Sequence, residues 1–149
     1  MLKVKDLMTR QVLTLAPTTS IREAAEFLSA EHLSGAPVTW RGKIQGMLSS
    51  TDLLEFIAGL PADPAAVDGG TEHGILDEHT VEEAMVRGPL TTIGSDEPAN
   101  RAAELMNEKR IHRLPVVDDE HLVGIITTTD LVKALADRKL TYRTFVFPR

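Results

Sequence analysis

Apolar residues recur along the chain in a helical pattern that occurs twice. In each stripe, four apolar side chains at i, i+3, i+4 and i+7 fall on one face of a helix. Ser20 and Glu23 have the spacing of a capping box, which predicts that the first helix begins here. Pro98 suits the first helical position of the second helix. The two stripes are Ile21, Ala24, Ala25, Leu28 and Ala99, Ala102, Ala103, Met106.

Short apolar runs on either side of these helices predict β-strands. In the first copy the predicted strands are residues 12–15, 36–39 and 44–49, and in the second copy they are 90–93, 114–117 and 122–127. A final helix begins near Asp52 and near Asp130. Each copy therefore has the order β-α-β-β-α, which predicts an α/β fold.

The two copies are also related residue by residue. A shift of 78 positions gives ten identities over the 44 positions from Val12 to Glu55, without a gap. Two such copies are expected to bury their apolar faces against each other. The predicted organisation is a first repeat at 1–59, an acidic linker rich in Gly and Pro at 60–80, a second repeat at 81–137 and a basic tail at 138–149. A short helix at 81–86 mirrors residues 4–9.

Composition narrows the possible partners and the compartment. Sixteen basic residues face 22 acidic ones, a net charge of −6, whereas nucleic-acid and anionic-membrane binders usually have the opposite balance. We therefore expect no nucleic acid and no membrane partner. The sequence has no cysteine, no signal-peptide pattern and no apolar run that could span a bilayer. These features predict a cytoplasmic protein.

Two sequence motifs carry a family resemblance. The second copy reads RIHRLPVVD from Arg110, followed by GIITTTDL from Gly124, and the first copy has the weaker GAPV from Gly35 and GMLSSTDL from Gly46. The chain resembles a tandem pair of cystathionine-β-synthase (CBS) domains, a Bateman module. The resemblance implies two β-α-β-β-α CBS repeats packed with pseudo-twofold symmetry. It also implies that AMP, ADP, ATP or a related adenosyl ligand binds in the clefts between the repeats, to regulate another activity.

The resemblance assigns ribose binding to Asp130 and Asp52, each opening a helix, and gives Thr127 and Ser49 hydrogen bonds to sugar or phosphate oxygens. The chemistry suits this role, because a carboxylate can accept two hydrogen bonds from a ribose cis-diol. The alternative is that each aspartate only supports a helix N-terminus, where a negative charge is favourable.

Phosphate contact is assigned by the resemblance to His112 and Arg113, since the guanidinium of arginine grips phosphate oxygens in two places. The alternative is a surface pair that serves the acidic turn at residues 118–120. The first copy has Ser34 and Gly35 here instead, so its cleft is expected to hold an uncharged adenosine or to be empty. Leu15 and Ile93 are expected to contact the adenine, Leu15 at the Asp130 site and Ile93 at the Asp52 site; for both, plain core packing is the alternative.

The leading hypothesis is a stand-alone regulatory module that binds adenine nucleotides, and the alternative is a dimerisation or protein-docking module with degenerate, ligand-free clefts. No catalytic constellation stands out, so we expect neither an enzyme nor a cofactor. Acidic and histidine side chains between residues 72 and 79 are interpreted as solvated, so we expect no metal site. We expect a homodimer with a protein target that the sequence does not name.

Overall fold

The computed structural model describes residues 1–60 and 74–140, which form two compact units. Leu13–Leu90 form the first-repeat unit, whereas Met1–Val12 and the chain from Thr91 onward form the second-repeat unit. The elements, in chain order, are α1 (Val4–Leu7), α2 (Ile21–Ala30), β1 (Gly35–Trp40), β2 (Lys43–Ser49), α3 (Ser50–Ala58), α4 (Ile75–Glu78), α5 (Val81–Ala84), α6 (Ala99–Lys109), β3 (Arg113–Asp118), β4 (His121–Thr127) and α7 (Thr128–Ala136).

Each unit is an antiparallel hairpin with helices packed on it, and each has its own core. In the first-repeat unit β1 pairs with β2, and in the second-repeat unit β3 pairs with β4. The first core includes Ile21, Leu28, Val38, Leu48 and Val81, and the second includes Val4, Met106, Leu114, Val116 and Ile126. The α/β fold expected from the sequence is confirmed.

One residue on the second strand of each hairpin, β2 or β4, bonds to the segment that precedes the other repeat in sequence. Thr9 and Ile125 exchange backbone hydrogen bonds of 2.8 and 2.9 Å within the second-repeat unit. Met47 and Val86 exchange bonds of 3.2 and 2.8 Å within the first-repeat unit. Thus α1 completes the second-repeat unit and α5 completes the first-repeat unit, which satisfies the backbone groups of β4 and β2 that face these segments.

The predicted helices and hairpins are confirmed to within a residue or two. Ser20 Oγ accepts a hydrogen bond of 3.1 Å from the backbone N–H of Glu23, so the predicted cap begins α2. Pro98 lies one residue before α6, at the N-cap and not at the first helical position. The strands predicted at 12–15 and 90–93 are reduced to single parallel bridges, Leu15 with Val38 and Ile93 with Val116.

The segment predicted as linker contains α4, which is joined to the start of α2 by a side-chain ion pair and a backbone hydrogen bond. Arg22 Nε lies 3.0 Å from Asp77 Oδ1 and 3.1 Å from its Oδ2. The backbone N–H of Ile21 donates to the carbonyl of His79 at 2.9 Å. The rest of the predicted linker, 61–73, and the tail from 141 onward lie outside the described residues. Within residues 1–60 and 74–140, every helix is too short or too polar for a membrane span.

Within the second-repeat unit, polar contacts join α1 and the C-terminal end of β3 to residues 95 and 96. The backbone N–H and the hydroxyl of Ser95 both donate to the carboxylate of Asp118. These hydrogen bonds lower the pKa of Asp118 from its usual value, since they favour the charged form. Lys5 Nζ lies 2.8 Å from Asp96 Oδ1, and this contact raises the pKa of Lys5 and lowers that of Asp96.

Candidate functional site

Thr127 and Asp130 form a reciprocal pair at the start of α7. Asp130 Oδ2 accepts from the Thr127 backbone N–H at 2.8 Å, and Thr127 Oγ1 accepts from the Asp130 backbone N–H at 3.2 Å. Both residues are half-buried. Within the described part of the chain, Asp130 Oδ1 has no hydrogen-bond partner. The carboxylate therefore caps the helix with one oxygen and leaves the other able to accept from a ligand.

Ser49 and Asp52 repeat this geometry at the start of α3. The Ser49 backbone N–H donates to Asp52 Oδ2 at 2.9 Å, and the Asp52 backbone N–H donates to Ser49 Oγ at 3.1 Å. Both side chains are half-buried. The helix-capping interpretation is therefore realised in both repeats. It is compatible with a ligand role, because capping uses only one of the two carboxylate oxygens.

The strand register brings His112 and Arg113 beside Thr127. Arg113 is the β3 partner of Thr127 on β4, and the His112 carbonyl accepts from the Thr128 backbone N–H at 2.9 Å. His112 is exposed and Arg113 is half-buried. In the first-repeat unit, Gly35 pairs with Ser49 in the same register. The two backbones thus match, and only the second repeat adds basic side chains.

Leu15 and Ile93 are core residues of their own units. Each is 5% exposed, and each lies in a parallel bridge to the first strand of its hairpin, β1 for Leu15 and β3 for Ile93. The backbone N–H of Leu15 donates to the Pro37 carbonyl at 3.0 Å, and that of Ile93 donates to the Pro115 carbonyl at 3.1 Å. Core packing thus accounts for both side chains. Their predicted contacts with adenine pair residues of different units and stay a prediction.

Two pockets flank α7 in the second-repeat unit. The larger, about 510 Å³, is a mainly apolar groove between α6 and α7 that includes Met106, His112, Thr128 and Val132. The smaller, about 190 Å³, is polar and lies between α1 and α7, where it includes Asp130. Neither of these pockets contains both His112 and Asp130, so the two predicted ligand residues lie towards different faces of α7.

The sequence analysis missed several charged residues that line the smaller pocket. They are Asp6, Lys133, Asp137 and Lys139. A signal for two of them was present, since Lys133 and Asp137 follow Asp130 at i+3 and i+7 and so share its helix face. No group of three or more potential metal ligands occurs among residues 1–60 and 74–140.

The fold and the two matching Ser/Thr–Asp sites define a tandem-repeat module. A sequence profile described as CBS domain matches residues 4–59 and 81–137. The chain belongs to the CBS domain family, and the resemblance noted in the sequence is confirmed.

The chain is similar both to a protein of comparable length and to parts of longer proteins. The chain is 34% identical over 131 residues to CBS domain-containing protein YhcV of Bacillus subtilis, covering 88% of this chain and 84% of that protein. Other curated relatives are longer. The chain spans 40% of the length of protein MJ1232 and 24% of the length of L-aspartate semialdehyde sulfurtransferase, both from Methanocaldococcus jannaschii. The matches to these longer proteins concern the module alone.

Two solved CBS structures resemble this chain closely enough to compare their ligands. The CBS domain pair of protein MJ0100, in complex with 5′-methylthioadenosine and S-adenosyl-L-methionine, has a TM-score of 0.71 at 28% identity and covers 93% of this chain and 98% of its own. CBSX2 in complex with AMP has a TM-score of 0.74 at 27% identity and covers 94% and 100%. Both proteins hold adenosine-containing ligands.

Proposed function

We propose that this protein is a regulatory module that binds an adenine nucleotide of the AMP, ADP or ATP class, with the ribose on Asp130. The observation that carries the proposal is the Oδ1 atom of Asp130, which has no partner in the described part of the chain. Thr127, which caps the same helix with Asp130, is the strand partner of Arg113. The adenosine compounds held by MJ0100 and CBSX2 support the ligand class.

Arg113 and His112 would contact the phosphate, and Thr127 the sugar or phosphate oxygens. Strand register supports this for Arg113, which pairs directly with Thr127. His112 is less directly supported, because it lines the apolar groove and not the pocket that holds Asp130. We therefore assign the larger share of phosphate binding to Arg113, whose planar donors match a phosphate.

The first repeat would provide a weaker binding site that lacks the basic side chains of the second. Asp52 has the same capping geometry as Asp130, and Ser49 that of Thr127. Ser34 and Gly35 replace the basic pair, so no cation at this strand start would offset the charge of a phosphate. We propose that this site takes an adenosine compound without phosphate or stays empty. Leu15 and Ile93 would supply apolar surface for the adenine.

Thermal unfolding against a ligand panel tests the proposed function. A compound that binds only the folded protein must raise the melting temperature, by mass action. We expect AMP, ADP or ATP to do so, with NAD, S-adenosylmethionine and guanosine monophosphate in the same panel as comparisons. A panel in which no adenosine compound shifts the melting temperature would reject the nucleotide-binding function and favour the docking alternative.

We also propose a homodimer that associates through helix surfaces. Exposed apolar residues occupy matching positions on α3 and α7: Leu54 and Val132 are 68% and 63% exposed, and Ile57 and Leu135 are 37% and 39% exposed. Apolar surface of this kind marks interaction sites, and closed twofold dimers are the commonest soluble oligomers. This observation is also the one that favours the docking alternative, in which the helix surfaces serve another protein.

A regulatory role requires that the ligand bind two arrangements of the module with different affinity. We propose no catalytic activity for the module. The protein target and the cytoplasmic location expected from the cysteine-free sequence stay predictions.

A further inference from the structure

We propose that the turn between β1 and β2 is an interaction surface that binds the turn between β3 and β4 of a second copy of this chain. The first, called the basic turn, is residues 40–43 and reads Trp-Arg-Gly-Lys. The second, called the acidic turn, is residues 118–121 and reads Asp-Asp-Glu-His. The two turns stand 78 residues apart, at equivalent positions in the repeats. The contact does not involve the nucleotide site or the helix surfaces proposed for the homodimer.

The backbone fixes the shape of the basic turn. Two residues, Arg41 and Gly42, join β1 to β2, with φ of 52° and 79°. Positive φ at both central residues gives a tight turn whose twist matches that of the flanking strands. Trp40 and Lys43 are directly opposite each other in the strand register, and opposite residues project from the same face of a hairpin. The turn therefore presents an aromatic ring and a cation on one face.

Trp40 leaves apolar surface in contact with solvent at this turn. It is 50% exposed. The guanidinium carbon of Arg41 lies 5.8 Å from the centre of the Trp40 ring, which is a cation–π distance. Within the described residues, the Arg41 side chain forms no ion pair and no hydrogen bond. Tryptophan and arginine are among the side chains that most often carry the binding energy of protein interfaces, so this pair is suited to a partner protein.

The charge of the basic turn is opposite to that of the unit around it. Residues 13–90 contain 12 acidic and four basic residues, a net charge of −8. Two of the four, Arg22 and Arg87, form ion pairs with acidic side chains of the same unit. The other two, Arg41 and Lys43, both lie on the basic turn and are exposed. A partner segment that carries carboxylates therefore matches this turn and is repelled by the surrounding acidic surface.

The second repeat carries such a segment at the matching place. Asp119 and Glu120 are the central residues of the acidic turn, and both are exposed. Their φ values of 48° and 67° give the same type of turn as in the first repeat. Asp118, which precedes them, is taken up by its hydrogen bonds from Ser95. The exposed charge of the acidic turn is therefore that of two neighbouring carboxylates.

The two turns are complementary in charge and similar in size. In the proposed contact, the cations of one turn meet the carboxylates of the other, and the Trp40 ring packs on the aliphatic part of the second copy's Glu120 side chain. Because the contact joins unlike surfaces, it can repeat from copy to copy. Exposed ion pairs contribute little individually, and two turns bury far less area than a stable complex does. We therefore expect a weak association that salt weakens further.

The fluorescence of Trp40 tests the contact in the intact protein, because the chain has no other tryptophan. As the protein concentration rises from micromolar to millimolar, the emission should shift to shorter wavelength and quenching by acrylamide should decrease. At about 1 M salt, where the screening length is about 3 Å, half of the shift should require about tenfold more protein. The helix-surface variant Leu54→Asp, Val132→Asp should keep the shift, which separates this contact from the proposed homodimer.

Two charge variants identify the partner turn. Arg41→Glu, Lys43→Glu makes the basic turn acidic, and Asp119→Asn, Glu120→Lys makes the acidic turn basic. Asparagine is chosen at position 119 because it tolerates positive φ. Neither variant alone should show the concentration-dependent shift. An equal mixture should restore it, because the unchanged basic turn of the second variant meets the unchanged acidic turn of the first.

The matched control is Lys109→Glu, Lys139→Glu, which makes the same change in net charge at exposed lysines outside both turns and should behave like the parent protein. Trp40 emission that does not depend on concentration would overturn the proposal, and so would a mixture that fails to restore the shift. A shift produced by poly-glutamate but not by the protein itself would overturn the second copy as the partner and point to an acidic segment of another protein.

Discussion

The side chain of Met8 occupies the space into which a side chain on Gly124 would project. A Cβ atom at Gly124 would lie 2.6 Å from Met8 Sδ and 2.9 Å from the Thr9 carbonyl oxygen. The first-repeat unit repeats the contact, since a Cβ at Gly46 would lie 2.8 Å from Met85 Sδ. Glycine on the strand thus lets the covering segment approach each hairpin closely.

We expect Gly124→Ala to destabilise the fold by about 1–3 kcal/mol, the usual cost of overpacking a core. The Thr9 carbonyl is backbone that is hydrogen-bonded to Ile125 and cannot easily move away. Urea unfolding measures the change. Gly94→Ala is the control, because a Cβ there would meet no atom closer than 3.7 Å. Equal stability of the two variants would contradict this account of the contact.

The Ser95–Asp118 contact predicts a pH dependence of stability. The pKa of Asp118 is lower in the folded protein than its usual value of 3.8, owing to the two hydrogen bonds from Ser95. A lowered folded-state pKa contributes stability that is present above the unfolded value and is lost as pH falls through the folded value. The protein should therefore lose this stability contribution only when the pH drops below about 4.

Urea unfolding at pH 7 and at pH 3 measures this effect. Asp118→Asn should be less stable than the parent protein at pH 7, and the difference should shrink at pH 3. Asp119→Asn makes the same charge change in the same turn without the Ser95 hydrogen bonds, and it should leave the pH profile unchanged. A stability deficit of Asp118→Asn that is the same at both pH values would show that the carboxylate charge is not responsible.

Local sequence patterns were sufficient to predict where the helices begin and where the hairpins lie. Ser20 was identified as a cap by its spacing from Glu23, and its hydroxyl does cap α2. The short strands before each helix were overestimated, because only Leu15 and Ile93 are buried in a core and bridge to a hairpin, whereas Leu13 is 47% exposed. A run of apolar residues does not reveal how much backbone pairing it will form.

Long-range features could not be predicted from the pattern. The repeat shows that residues 4–9 and 81–86 correspond, but not that each segment covers the hairpin of the other repeat, because sequence spacing carries no information on distant pairing. At the site, Asp130 was found by its motif. Lys139 was missed because it follows the end of α7 and reaches the pocket only through the tertiary fold.

The exposed positions on α3 and α7 predict how the protein associates. Light scattering should give twice the chain mass of 16.3 kDa. The double variant Leu54→Asp, Val132→Asp should shift the protein towards monomer, because it places charges in an apolar contact surface. Leu13→Asp changes another exposed leucine, which is 47% exposed, and should leave the dimer intact. A parent protein that is monomeric at micromolar concentration would contradict the prediction.

Phosphate recognition is tested by a single substitution at Arg113. We expect the parent protein to bind AMP about tenfold or more tightly than adenosine, since arginine forms charge-assisted bonds to phosphate. Arg113→Leu should erase that preference and leave adenosine binding nearly unchanged. The titrations are repeated with His112→Gln in both the parent and the Arg113→Leu protein, so that the side chain at position 112 cannot supply the missing cation. A preference undiminished in the variant would exclude Arg113 from phosphate binding.

The central claim is that the second repeat holds the nucleotide through Asp130, and calorimetric titration of AMP tests it most directly. Asp130→Ala and Asp52→Ala remove equivalent helix caps, because each carboxylate accepts a hydrogen bond from the N-cap backbone N–H, at 2.8 and 2.9 Å. Each variant therefore controls for the structural effect of losing the cap in the other. We predict that Asp130→Ala weakens AMP binding by about tenfold or more, as expected for hydrogen bonds to a charged group worth about 1.5–3 kcal/mol, and that Asp52→Ala has a smaller effect. Equal losses would mean equivalent sites, and unchanged AMP affinity in both variants would contradict the account.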